Sequence, residues 1–435
     1  MKNLIFIIIF FTQINPIFSQ SIYFPPLIGK TWDTVSVQQL GWCADKVDSL
    51  YGFLAQKNTR AFLVLKDGKM VMEKYFGTFT QDSFWYWASA GKTLTGMLVG
   101  IAQHQNLLKI TDTSSKYLGV GWTDEPLTKE QLITIRHQLT MSSGLDDAVQ
   151  DNDCTIDSCL RYKADAGTRW AYHNAPYTIL DQVIATASGQ TFSQYFNTNI
   201  RNKIGMNGFW YKPDFNNVYY SNPRSMARYG LLLLNKGIWN GTPVLNDSNY
   251  FNQMINTSQN INLSYGYLTW LNGKNSFMAP GTQIVFPGYL CVDAPADMFA
   301  ALGKNGQIIN VVPSQNLVVV RMGDSPTDLG AVPITFNNDM WKYLNKVICK
   351  STWNLSLKQV ESEIKLYPNP SNSFISLNVI QRQTDFRISI MNLNGEILLS
   401  TINENSIDIS ALANGYYIAC IESEKVRVYR KIVKQ

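Results

Sequence analysis

Leu94, Met97, Leu98 and Ile101 recur at i, i+3, i+4 and i+7, so the chain from Ser89 onward predicts a helix with one buried face. Upstream, Ala61–Leu65 and Met70–Tyr75 are apolar, β-prone runs separated by Lys66-Asp67-Gly68-Lys69, which predicts a hairpin. Helices are also expected from about Trp42 to Gln56, at Tyr177–Ser188 before Gly189, and at Pro223–Asn235 before Gly237. Late in this region the period returns to strand. Gln307–Val312 and Leu317–Met322 flank Pro313-Ser314-Gln315-Asn316, and a helix from about Phe336 to Val347 closes the region. Strands at both ends with helices between them imply one α/β domain over about residues 21–350, whose sheet pairs distant segments.

Beyond it, residues 351–363 form a linker, and residues 364–435 change character. Phe374–Val379, Phe386–Ile390 and Gly415–Ile421 alternate apolar and polar positions, with turns such as Asn394-Gly395 between runs. That pattern predicts a small all-β sandwich. At the other end, Met1-Lys2-Asn3 precedes the unbroken apolar run Leu4–Phe11, then Pro16 and Ser19-Gln20. A positive start, a short apolar stretch and a small-residue site describe a signal peptide over residues 1–19. The run is shorter than the ~20 residues a bilayer-spanning helix needs, and no later stretch predicts a transmembrane segment.

Composition adds a few exclusions. With 45% hydrophobic and 16% charged residues the 435-residue chain is ordinary globular protein, and its formal net charge is only +5. Much of the positive charge sits at Lys425, Arg427, Arg430, Lys431 and Lys434, with no basic stripe interleaved with aromatics elsewhere, so no nucleic acid is expected as a partner. Export permits disulfides among the six cysteines. Cys154 and Cys159 flank TIDS in a polar loop that suits a local bridge, and Cys43, Cys291 and Cys349 could include another pair. No Cys or His set has zinc-ligand spacing, and neither metal nor cofactor is expected.

Three short motifs carry the candidate chemistry. In Ser89-Ala90-Gly91-Lys92, three residues of helix turn through about 300°, which brings the serine and lysine to nearly the same side. Free N–H groups at a helix start favour negative charge beside the serine, and a desolvated lysine can act as its base. In Tyr172-His173-Asn174, a phenol near a cationic lysine has its ionised form favoured and can relay a proton, while the amide can orient a substrate or the lysine. In Gly303-Lys304-Asn305-Gly306-Gln307, a cation and a glycine lead into a strand edge. There the N–H of Gln307, with that of Ser89, could form an oxyanion hole, and Lys304 and Gly306 would border the substrate.

In this order and at these separations the motifs resemble S-x-x-K, Y-x-N and K-T-G of the serine β-lactamase and penicillin-binding-protein superfamily. Leu65-Lys66-Asp67-Gly68-Lys69, Tyr75-Phe76-Gly77, Thr134–Leu139 leading to Ser142-Ser143-Gly144-Leu145, Gly167-Thr168-Arg169-Trp170 and Val312-Pro313 look like its class C and esterase branch. The resemblance spans nearly all of residues 50–345. It implies a β-lactamase/transpeptidase-like antiparallel sheet flanked by helices, with a helical subdomain. It also implies that Ser89 is acylated, that Lys92 and Tyr172 share the proton transfers, that Asn174 positions substrate and that Gln307 supplies the second oxyanion N–H. The implied substrate is a small molecule or peptide-like compound.

Asn305 stands in place of the Thr of K-T-G, Met141 where many relatives carry His, and Ala166 where many carry Pro. These departures favour ester or amide hydrolysis over antibiotic hydrolysis, with a β-lactamase or D,D-peptidase as the alternative. A non-catalytic surface binding protein on the same fold is the alternative of another class. A Ser-His-Asp triad would need one of His104, His137 or His173. His104 is expected at the surface, His137 in a structural role, and His173 is the one candidate substrate contact. Trp85, Tyr86 and Trp87 are expected chiefly in core and strand, although one of them could line the cleft. The tail, from Leu366-Tyr367-Pro368-Asn369-Pro370 through Asn414-Gly415-Tyr416-Tyr417 to Lys431-Ile432-Val433-Lys434, resembles the type A sorting domain of the type IX secretion system of Bacteroidota. That implies the type IX machinery as a partner and a secreted or cell-surface location reached via the periplasm.

Overall fold

The computed structural model describes residues 22–326, 332–349, 365–378, 386–392, 396–423 and 427–435. The signal peptide at 1–19, the linker at 351–363 and the Asn394-Gly395 turn lie outside the described residues. The chain divides into two compact units, Met1–Val347 and Ile348–Gln435.

In the first unit the elements that position the site are, in chain order, α1 (Val47–Gln56), β1 (Thr59–Lys66), β2 (Lys69–Tyr75), β3 (Trp85–Tyr86), α2 (Lys92–His104), α3 (Asn174–Thr178), α4 (Leu180–Ser188), β4 (Phe209–Tyr211), β5 (Val218–Ser221), α5 (Pro223–Leu234), β6 (Trp270–Leu271), β7 (Phe299–Gly303), β8 (Gln307–Val312), β9 (Leu317–Gly323) and α6 (Ile334–Ile348). Six of them make one antiparallel sheet in the order β2-β1-β9-β8-β7-β6. The two expected hairpins are its β1–β2 and β8–β9 pairs. The first strand of this unit joins its last through β1–β9, with Leu63 opposite Val320 and Leu65 opposite Val318.

The central strands are buried along their whole length, which is why Leu317–Val320 reads as a continuous apolar run rather than an alternating one. Helices cover both faces. Gly230 of α5 lies close against Val318 and Ile309. On the opposite face Asn310 of β8 exchanges hydrogen bonds with Asn337 of α6 at 2.7 and 3.0 Å, and Phe53 of α1 stacks on Phe336 and Tyr343 of α6. Pro223 opens α5 as expected, and the side chain of Asn222 caps it by accepting from the N–H of Ser225 at 2.8 Å. Two boundaries differ from expectation. Helix α1 begins after a 3-10 turn at Ala44–Lys46, and the Tyr177–Ser188 stretch divides into α3 and α4.

Cys154 and Cys159 are bonded to each other. Cys43 and Cys349 are also disulfide-bonded, while Cys291 is a buried thiol. The second unit packs a three-stranded sheet (Lys365–Tyr367, Phe374–Asn378, Ser406–Asp408) with a four-stranded one around Ile375, Leu377, Ile388, Ile390, Ile407, Ala419 and Ile432. That is the expected β-sandwich. Among the described residues no helix is long and apolar enough to cross a membrane.

Candidate active site

Ser89 does not begin the long helix itself. It sits in a 3-10 turn, Ala88–Gly91, that feeds directly into α2. Ala88 takes a φ of 46°, a left-handed conformation unfavourable for a residue with a Cβ, so the chain bends sharply just before the serine. Trp87 anchors this bend. It is fully buried, and its indole N–H donates to Ser221 Oγ at 2.7 Å.

Lys92 is 2% exposed. Its Nζ donates to Ser89 Oγ at 3.1 Å and to Asn174 Oδ1 at 2.7 Å. It also lies over the rings of Tyr177 and Tyr172, 4.1 and 5.1 Å from their centroids. Burial disfavours the ammonium and pushes Lys92 down to about 7, against the opposing pull of the Asp153 carboxylate. A lysine so placed is about half in its neutral, basic form near pH 7.

Tyr172 corrects an expectation. Its phenol interacts with Ser89 and Trp270, but its own burial dominates and pushes it up to about 12. The ionised form is therefore disfavoured, and Tyr172 faces Ser89 as a neutral hydroxyl. It is held in an aromatic cage by Trp270 (5.6 Å, stacked), Trp170 and Tyr265. The N–H of Ala171 donates to Met141 O at 2.9 Å, which ties the unusual Met141 to the backbone just before Tyr172.

The third motif is rearranged relative to expectation. Gly303 ends β7, and a Cβ built on it would lie 2.4 Å from Trp87 O, 2.8 Å from Ala90 N and 3.1 Å from Ser89 N. Only glycine lets this strand end come so close to the serine. Gln307 opens the neighbouring strand β8, fully buried, and its side-chain amide is used in bonds to Gly323 O at 2.6 Å and from Gly323 N at 3.2 Å. The strand end that meets Ser89 is thus Gly303–Lys304 rather than Gln307. Lys304 is exposed. Asn305 donates to Tyr86 Oη at 2.6 Å, which makes Tyr86 the one of the three aromatics before Ser89 that is tied to this turn.

The turn Lys304–Gly306 is held from behind by Arg321, a fully buried residue of β9. Its guanidinium donates to the carbonyls of Asn305 (2.6 Å), Gly306 (3.0 Å), Lys57 (2.7 Å) and Asp324 (3.0 Å), and its Nε to Thr59 Oγ1 (3.1 Å). Asn305 and Gly306 both have positive φ, and a Cβ on Gly306 would lie 2.5 Å from Arg321 Nη1.

The histidines divide as follows. His104 ends α2 exposed. His137 forms a capping box with Thr134, the structural role expected. His173 is buried with neither ring nitrogen hydrogen-bonded among the described residues, and burial pushes it down to about 4, so it is neutral. Among the described residues no group of three His, Cys, Asp or Glu side chains could hold a metal ion. Residues missed by sequence reasoning include Asn152, whose Oδ1 accepts from the N–H of Asn174 at 3.0 Å, and Asp153 beside Lys92. They lie in a loop with no periodic signal.

This arrangement on a six-stranded antiparallel sheet defines a class of protein. Residues 54–332 match the β-lactamase family, and the chain belongs to it. Residues 365–435 match the secretion system C-terminal sorting domain. The protein is a β-lactamase-fold member of the serine hydrolases with a secretion-sorting tail. An uncharacterised protein of Alkalihalophilus pseudofirmus is 25% identical over 300 residues, which cover 60% of this chain and 82% of that one. In fold the chain resembles a candidate β-lactamase of Bacteroides dorei (TM-score 0.58, 17% identity, 71% of this chain and 100% of that one). It also resembles a candidate 6-aminohexanoate-dimer hydrolase of Bacillus anthracis (TM-score 0.55, 18% identity, 73% and 89%).

Proposed function

We propose that this chain is an exported hydrolase that cleaves an ester or amide through an acyl-enzyme on Ser89. Lys92 takes the Ser89 proton as Oγ attacks the carbonyl carbon, and the oxyanion settles between the N–H of Ser89 and the backbone at Gly303–Lys304. Tyr172, neutral throughout, hands a proton toward the leaving group, and the proton held by Lys92 replenishes it. Asn174 orients Lys92 and the substrate. Water then attacks the ester as Lys92 accepts its proton, and Lys92 returns that proton to Ser89 Oγ as the C–Oγ bond breaks and the acid leaves. Lys304 contacts the exposed end of the substrate. Support comes chiefly from the 3.1 Å approach of a buried, readily deprotonated Lys92 Nζ to Ser89 Oγ.

A fluorophosphonate probe should label Ser89, located by peptide mass spectrometry, and Ser89→Ala should lose both labelling and turnover. Unchanged turnover in that variant would remove the reading. A chromogenic cephalosporin assayed beside a short-chain ester and an amide separates the ester or amide hydrolase from a β-lactamase or D,D-peptidase. Ligand retention without turnover across all three would favour the binding-protein alternative. The tail directs the protein, after removal of residues 1–19, through type IX secretion to the cell surface or medium. A chain lacking residues 365–435 should stay in the periplasm.

A further inference from the structure

Residues 146–153 lead into the Cys154–Cys159 bridge and meet the first turn of α3 at Asn152. Asn152 grips the first turn of α3 through two hydrogen bonds and is braced within its own loop by a third. Its Oδ1 accepts from the N–H of Asn174 at 3.0 Å, its carbonyl accepts from the N–H of Ala175 at 3.1 Å, and its Nδ2 donates to Asp147 O at 3.2 Å. Asn174 in turn accepts from Lys92 Nζ at 2.7 Å. Asp153 follows, with its N–H bonded to Asp151 Oδ1 at 2.9 Å. Its Oδ1 is shielded from solvent and has no hydrogen-bond partner among the described residues, and its charge acts on Lys92 and on Tyr177. The next residue is Cys154, 4% exposed, bonded to Cys159. Leu160 then anchors the loop in the same apolar cluster as Ala175 and Ile179.

We propose that Asn152 and Asp153 are positioning residues for Lys92: Asn152 aims its amine through Asn174, and Asp153 is the counter-charge that receives its ammonium. The proposal rests on the assignment of Lys92 as the base for Ser89. When Oγ bonds to the carbonyl carbon, its proton passes to Nζ, and a neutral amine becomes an ammonium in a dry pocket. Ser89 and the amide of Asn174 hydrogen-bond it, and the rings of Tyr172 and Tyr177, both neutral phenols, lie against it. The carboxylate whose charge acts on it is that of Asp153, while Asp181 acts on Tyr177. Asp153 is the one carboxylate acting on Lys92 among the described residues. An otherwise unpartnered carboxylate there favours the ammonium that the attack creates.

Two substitutions move Lys92 in opposite directions. Asp153→Asn removes the counter-charge and should lower the Lys92 midpoint by about half a unit or more, with a plateau rate at least about threefold lower. Asn152→Asp keeps an acceptor for Asn174 and adds a carboxylate, so it should raise the midpoint. Asn152→Ala should cut the labelling rate, with Asn152→Asp restoring most of it. The readouts are the pH dependence of fluorophosphonate labelling at Ser89 and the titration of Lys92 itself by NMR of 15N-lysine-labelled full-length protein. A Lys92 midpoint unmoved by both Asp153→Asn and Asn152→Asp overturns the proposal, whether or not Ser89 reacts. A shifted midpoint with an unreactive Ser89 would support the electrostatic coupling while removing the catalytic reading on which it builds.

Discussion

The two walls around Ser89 are built on opposite physical terms. On one side Lys92, Tyr172 and Tyr177 are buried together, and the property that makes Lys92 useful, its fall to about 7, comes from the exclusion of water. On the other side the turn Lys304–Gly306 carries an exposed lysine, and its shape is set through backbone carbonyls by Arg321. The dry wall stores chemical reactivity at the expense of stability. The wet wall stores geometry, and its exposed side chain contributes little to the fold.

The sharpest break of this comparison is Lys92→Met. It should abolish hydrolysis, by about a thousandfold or more, and yet raise the Tm at pH 7, because it removes an amine that is costly to bury. Retained activity, or a lower Tm, would contradict the account of the dry wall. Next is Arg321→Leu, which withdraws hydrogen bonds from four carbonyls and a hydroxyl at once. It should destabilise the catalytic unit by about 3–5 kcal/mol, read by denaturant unfolding; a loss under about 1 kcal/mol would mean the turn is held some other way.

The dry wall also predicts a pH signature. Activity needs neutral Lys92, so kcat/KM should rise about tenfold from pH 6 to pH 8 as the group passes its midpoint near 7. Stability should move with the same sign. Between about 7 and the ordinary lysine value the unfolded chain holds a proton that the folded chain has lost. Raising the pH through that window removes the proton and so stabilises the fold. Calorimetry at pH 7 and 9.5 checks it, and this component should vanish in Lys92→Met. The smallest effect belongs to the wet wall. Lys304→Ala should leave the Tm unchanged and alter KM a few-fold for substrates with an anionic end, with kcat preserved.

Local spacing made much of the site legible. Ser89 and Lys92 meet because three residues of helical turn bring them together, and the two hairpins followed from Lys66-Asp67-Gly68-Lys69 and Pro313-Ser314-Gln315-Asn316. What stayed hidden depends on partners distant in sequence. Nothing in the tetrapeptide shows that Tyr172 and Tyr177 will dehydrate Lys92, so the upward shift of Tyr172 was equally out of reach. A short motif also does not say which of its residues approaches the serine. The turn falls inside Gly303–Gln307, and the approach to Ser89 belongs to Gly303. Asn152 lies in an irregular loop, where only the folded chain brings its side chain to Asn174.

Arg321 has a consequence for how such a site can change over generations. Because it grips the turn through main-chain oxygens, the grip does not depend on which side chain the turn displays at Lys304. Residues with φ near 60–75° there, Asn305 and Gly306, are confined to a narrow vocabulary, but position 304 is not. A lineage can therefore exchange the side chain at 304, and with it the preferred substrate, without disturbing the backbone that would cradle the oxyanion. Arg321, out of sight on the far side of the sheet, is what makes that kind of novelty cheap.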